Sequence, residues 1–147
     1  MRILHLSDTH LMAPGALHQG VVDTTAVLRE VCAGLQGVGP LDVVVVSGDV
    51  SDDGSIASYE AARDIVEAFA RAHGALAVYA MGNHDLPTGF TAVLGPVRRV
   101  HDVAGLRVVV LDSSVPGRGY GEIGAEQLGW LRTVLATPAP RGSVVVV

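Results

Sequence analysis

Five short apolar runs punctuate the chain, and longer stretches with helical spacing separate them. The runs are Arg2–Ser7, Asp42–Ser47, Ala75–Met81, Leu106–Asp112 and Ser143–Val147. Val43-Val44-Val45-Val46 shows no polar alternation, the pattern of a strand buried on both faces. Val97–Asp102 is a sixth candidate strand. Between the runs, Asp23–Gln36 places Val27, Leu28, Val31, Cys32 and Leu35 on one helical face, and Gly37 follows as a stop. From Ile56 to His73, the residues Tyr59, Ala62, Ile65, Val66 and Phe69 form a second stripe. Ser55 precedes it as an N-cap and Gly74 ends it. A third helix is predicted over Ala125–Leu135, with Leu128, Leu131 and Leu135 inward, before Pro138 and Pro140 break it. Pro14–Gly20, Pro87–Pro96 and Pro116–Gly124 read as loops. Strands alternating with helices predict an α/β layered fold. No shift in composition marks a second domain within residues 1–147.

Composition narrows the class. An apolar fraction of 49% against 17% charged residues is that of a chain with a packed core, not a disordered one. The longest unbroken apolar run, Ala75–Met81, is seven residues, whereas a membrane helix needs about 20. Asp8 follows Met1 too closely for a signal peptide, and the single cysteine allows no intrachain disulfide, so a cytoplasmic setting is expected. All ten basic residues are arginines, scattered along a chain of net charge -5, which argues against a nucleic-acid binder.

The chemistry gathers where three strands end. The first runs into Ser7-Asp8-Thr9-His10, the second into Ser47-Gly48-Asp49, the third into Gly82-Asn83-His84-Asp85. Ligand sites of open α/β sheets lie beyond the carboxyl ends of the strands, so the three segments should meet. Asp8 and His10 offer an oxygen and an imidazole nitrogen on one side of the chain if the segment stays extended. Asp49 has two oxygens able to bridge a pair of cations about 3.5–4 Å apart. Asn83 adds a neutral amide oxygen, and Gly48 and Gly82 allow tight turns beside the metals. This mixed set suits Mn, Fe or Zn better than calcium or a thiolate-bound ion. Cys32, on a helix stripe, is assigned to the core.

Asp8-x-His10, Gly48-Asp49 with Asp52 three residues on, and Gly82-Asn83-His84-Asp85 resemble the first three blocks of the calcineurin-like metallophosphoesterases. Leu111–Gly117, Gly121-Glu122-Ile123 and Gln127–Leu131 narrow the likeness to bacterial class III 3′,5′-cyclic-nucleotide phosphodiesterases of the mycobacterial type. The resemblance implies a β-sandwich flanked by helices, in αββα layers. It also implies two bound metal ions, with Asp8 and His10 on the first, Asp49 bridging and Asn83 on the second. His84 would contact the phosphate or the leaving oxygen, Asp85 would orient His84, and Asp52 would stand behind the ligands. The implied reaction is hydrolysis of a cyclic nucleotide by attack of a metal-activated hydroxide on phosphorus. Alternatives are a different phosphoester, such as a glycerophosphodiester or a phosphomonoester, or an inactive metal-binding fragment.

The family pattern has two further histidine blocks that this chain lacks, so the sequence is expected to be the N-terminal half of the family domain. A homodimer or a C-terminal half on another chain would then supply the remaining ligands. Among the other candidates, His18 sits in a loop near the site, either solvated or touching substrate or metal. His5 is expected in the core, His73 at a helix end and His101 as a structural residue beside Asp102. Trp130 is expected to pack its helix, and Arg98-Arg99 to be a solvated pair. Arg118 and Tyr120 lie in a loop that would rim the substrate pocket.

Overall fold

The computed structural model describes residues 1–147. Three parallel strands, β1 (Ile3–Ser7), β2 (Val43–Ser47) and β3 (Leu76–Ala80), form one sheet in that order. Ile3 lies opposite Val43, and Val43 opposite Leu76. The crossovers are α1 (Thr24–Gly34), followed by a short 3₁₀ turn at Gln36–Val38, and α2 (Ile56–Ala72). Asp23 caps α1 by accepting from the Ala26 N–H at 2.9 Å, and Ser55 caps α2 by accepting from Ser58 N–H at 3.1 Å.

The second sheet holds β4 (Arg99–Val103), β5 (Leu106–Val110) and β6 (Ser143–Val146), with β4–β5 antiparallel and β5–β6 parallel. Ala104 and Gly105 both have positive φ (49° and 81°), as a two-residue hairpin turn of the mirror-image type requires. A helix not predicted from the sequence, α3 (Pro87–Val93), follows β3, and α4 (Ala125–Leu135) precedes β6.

The valine run of β2 serves both faces, as its pattern predicted. Val43 and Val45 pack with Val78, Ala80, Leu106, Val108, Val110 and Val146 between the sheets. Val44 and Val46 face the helices, beside Leu28, Cys32, Tyr59, Val66, Phe69 and Phe90. Arg107 points away from the inter-sheet core and donates to the carbonyls of Val134 and Thr137, at 3.0 and 2.7 Å, which lays the end of α4 on the outer face of β5. The layers are therefore helix, sheet, sheet, helix, the metallophosphoesterase arrangement. Arg141 clamps the two sheets by donating to both oxygens of Asp42 at 2.7 and 3.0 Å.

Four expectations need correction. Pro87–Pro96 is not all loop: Pro87 starts α3, and Phe90 is fully buried edge-to-face against Tyr59, with ring centroids 5.9 Å apart. The sixth strand begins at Arg99 rather than Val97. In α4 the packed side runs through Gln127, Trp130, Leu131 and Val134, while Leu128 and Leu135 are each 38% exposed. His5 is exposed rather than core; it faces a cleft of about 300 Å³ between the edge strands β1 and β6, and its Nε2 is 2.5 Å from Ser47 Oγ. His73 does cap α2, with Nδ1 2.9 Å from the Phe69 carbonyl, and is buried. No helix is long and apolar enough to cross a membrane.

Candidate metal centre

Backbone pairing continues past the strand ends and knits three loops together. Asp8 N–H donates to Gly48 O at 3.3 Å, His10 N–H to Asp49 O at 2.8 Å, Leu11 N–H to Val50 O at 3.0 Å, and Gly48 N–H to Ala80 O at 2.9 Å. The segments after β1, β2 and β3 therefore meet, as the strand-end argument required.

The way they turn was not foreseen. Asp8, His10 and Asp49 all adopt the left-handed region, with φ of 55°, 44° and 46°. The Asp8–His10 segment is not extended, so their side chains converge through two backbone kinks rather than through strand alternation. Non-glycine residues in this region store roughly 1–3 kcal/mol each, and such strain concentrates at functional sites. Aspartate and histidine tolerate it better than most residue types.

The kinks bring one oxygen each of Asp8 and Asp49 and one nitrogen of His10 within 4.8 Å of one another. His10 Nε2 is 3.8 Å from Asp49 Oδ2. Atoms bound to one ion at about 2.1 Å stand roughly 3–3.5 Å apart, so a transition metal fits with a small closing movement. Asp49 is 8% exposed, and its Oδ1 accepts from His84 N–H at 3.0 Å. Gly82 leaves room for this carboxylate: a Cβ there would run into Asp49 Oδ1 and the Asp49 backbone nitrogen. Asn83 is exposed on the loop after β3.

Asp52 is the hub of the imidazoles. Its Oδ1 lies 3.0 Å from His10 Nδ1 and 3.0 Å from His84 Nδ1, and its Oδ2 lies 3.3 Å from His18 Nδ1. The His10 ring stands edge-on to His84, with centroids 4.9 Å apart. Burial works to raise the Asp52 carboxyl, but the His10 hydrogen bond and the three imidazoles outweigh it and hold it below the ordinary carboxylate range. With Nδ1 turned to Asp52, the His10 ring presents Nε2 to the metal cluster, the arrangement by which a carboxylate orients a ligating histidine.

Asp85 does not orient His84. Its buried carboxylate accepts from the backbone N–H of Val50, Ser51 and Gly82 at 3.1, 2.9 and 2.9 Å. Burial pushes the carboxyl up against the pull of these donors. Asp85 thus binds the second loop to the third, and Asp52 takes the place beside His84 that the sequence reading gave to Asp85.

A profile of the calcineurin-like phosphoesterases matches residues 1–134. The chain belongs to that family. A probable cyclic nucleotide phosphodiesterase of Rhodococcus erythropolis is 44% identical over 97% of this phosphoesterase chain and 50% of its own length. A cAMP/cGMP dual specificity phosphodiesterase of Mycobacterium tuberculosis is 43% identical over 97% of the chain and 48% of its own length. The chain thus spans about half the length of these relatives. In the solved purple acid phosphatase of yellow lupin, 15% identical, the fold matches with a TM-score of 0.52 over 93% of this chain and 28% of that one.

The remaining candidates lie on other elements. Arg98 lies 5.2 Å over the Trp130 ring and pairs with Glu126 at 3.0 Å, so it is not simply solvated. Tyr120 and Arg118 are exposed in the segment between β5 and α4. Arg99 and His101 are half-buried in β4.

Proposed function

We propose that this chain provides the ligand-bearing N-terminal half of a dinuclear metal phosphodiesterase acting on 3′,5′-cyclic nucleotides. The observation that carries the reading is the division of labour at His10, whose Nε2 faces Asp49 and whose Nδ1 lies against Asp52. Asp8, His10 and Asp49 would hold one metal ion, and Asp49 and Asn83 a second. Bound there, Mn, Fe or Zn ions supply charge neutralisation for the phosphate and a water acidic enough to attack at neutral pH.

The protein's own groups do the rest. Asp8 and Asp49 present carboxylates held by the backbone kinks. Asp52, 3.0 Å from His84 Nδ1, orients the ring and leaves Nε2 as the nitrogen that would face a phosphate or leaving oxygen. His84 is 47% exposed, so a small-molecule phosphodiester reaches it without any opening of the fold. Support for cyclic nucleotides as the substrate class comes from the names of the two relatives 44% and 43% identical to this chain. Further ligands would come from the part of the family domain that corresponds to the other half of these relatives, or from a second copy.

The test combines metal content with ³¹P NMR of substrate cleavage. The chain, alone and mixed with the separately expressed C-terminal half of the Mycobacterium tuberculosis relative, is assayed with Mn²⁺ against 3′,5′-cAMP and a glycerophosphodiester. Mn-dependent opening of cAMP, lost in His84→Ala while bound Mn is retained, supports the reading. Cleavage of the glycerophosphodiester alone reassigns the substrate. Turnover that survives in His84→Ala overturns the role given to that residue. About two ions per chain without any added partner would mean that a second copy supplies the missing ligands.

A further inference from the structure

We propose that His18 is a positioning residue of this centre, holding Asp52 Oδ2 so that Oδ1 stays aimed at His10 and His84. The inference rests on the reading of the preceding subsection.

The segment around His18 is built to present its ring. His18 N–H donates to Val22 O at 2.8 Å, and Val22 and Val21 N–H return to His18 O, each at 3.1 Å. Between them Gln19 and Gly20 have φ of 50° and 73°. Two consecutive left-handed residues make a mirror-image tight turn, with His18 as its first residue. Asp53 anchors the base of the segment by accepting from Ala13 N–H at 2.7 Å.

Apolar packing does not explain why the hairpin lies where it does. Leu17 and Val21 are 43% and 75% exposed. The His18 side chain, in contrast, is only 22% exposed, and its ring lies 5.2 Å from that of His10. Its Nδ1 is buried and makes no aligned hydrogen bond, and it lies 3.3 Å from Asp52 Oδ2, within ion-pair distance. Asp52 needs such a partner. Its backbone is tied to Leu11 O, at 3.0 Å, but that bond leaves the carboxylate free to turn. Only the His10 contact is an aligned hydrogen bond to that carboxylate. A third imidazole on the far oxygen removes the remaining rotation, and with it the alternative ring orientations of His10 and His84.

The experiment compares wild type, His18→Ala and His18→Asn. Its readouts are long-range ¹H–¹⁵N spectra of the imidazoles, Mn²⁺ affinity by calorimetry and the urea midpoint. Asparagine keeps an N–H donor close to the position of Nδ1. In His18→Ala the His10 and His84 signals should move from the Nδ1–H tautomer towards an average of both. Mn²⁺ affinity should fall about 10-fold, the scale of a lost partner behind a ligand. His18→Asn should recover most of both. If His18→Ala keeps wild-type tautomers and affinity, or if His18→Asn is no better than His18→Ala, the positioning role is overturned. A lowered urea midpoint in His18→Ala leaves the decision with His18→Asn. Should the wild type take up no Mn²⁺, the metal reading fails, while the tautomer comparison still decides the role of His18.

Discussion

His84 Nδ1 stands 3.0 Å from Asp52 Oδ1, although Asp52 is 32 positions away in the chain and Asp85 is its neighbour. The two aspartates should therefore separate cleanly on mutation. Asp85→Ala leaves three backbone donors unpaired and should lower stability by about 3 kcal/mol, read from urea unfolding. Asp52→Asn should lower the urea midpoint less than Asp85→Ala does while reducing turnover at least 10-fold. Equal loss of stability in both variants would contradict this division.

Gly82→Ala places a methyl group against Asp49 Oδ1 and the Asp49 backbone nitrogen. The site must then widen, and Mn²⁺ affinity measured by calorimetry should fall by at least 100-fold. Unchanged affinity would show that the loop after β3 yields without disturbing Asp49.

The clamp between the sheets should respond to acid. Asp42 accepts from Arg141 at 2.7 and 3.0 Å and from Arg2 N–H at 2.7 Å. The Arg141 guanidinium, foremost, and the Arg2 N–H hold its carboxyl down at about 2, against an ordinary 3.8. A carboxyl lowered in the folded state stabilises it fully above about pH 4, and that contribution disappears as pH falls from 4 to 2. Urea midpoints of wild type should drop across this window, and Asp42→Asn should drop less. Asp53, also lowered to about 2 by backbone donors that outweigh its burial, accounts for part of what remains.

Tyr59→Phe removes the hydroxyl that accepts from Leu86 N–H at 2.8 Å, just ahead of α3. Stability should fall by about 1 kcal/mol, and amide exchange should quicken in Leu86–Phe90 before it does in α2. Uniform exchange rates would mean that α3 is held by Phe90 alone.

The elements that sequence alone revealed are those whose burial matches their own periodicity. Val43–Val46 is buried on both faces and could be read without knowing its neighbours. The helix from Ile56 carries a stripe that Ser55 and Gly74 bracket. Pro87–Val93 failed this reading because Thr88, Gly89 and Thr91 are poor helix formers; the segment is helical because Phe90 is buried against Tyr59. His5 was misplaced because alternation assigns a face, and on an edge strand the inward face opens onto a cleft. At the centre, residue types announced a metal site, and the three strand ends do meet. The backbone kinks at Asp8, His10 and Asp49 left no mark in the pattern, and neither did the partnership of Asp52 with three histidines. Each depends on contacts between loops far apart in sequence.

The backbone bonds from Asp8 to Gly48, from His10 to Asp49 and from Gly48 to Ala80 join the three loops without help from any ion. A metal taken up there would find these three loops already joined, so its uptake would carry little conformational-entropy penalty from them. Differences in affinity among Mn, Fe and Zn at these loops would then express chiefly the dehydration of each ion and its liking for imidazole and carboxylate. A centre of this kind does not choose its metal by folding around it. Metal choice at such a cluster would rest with what its surroundings supply.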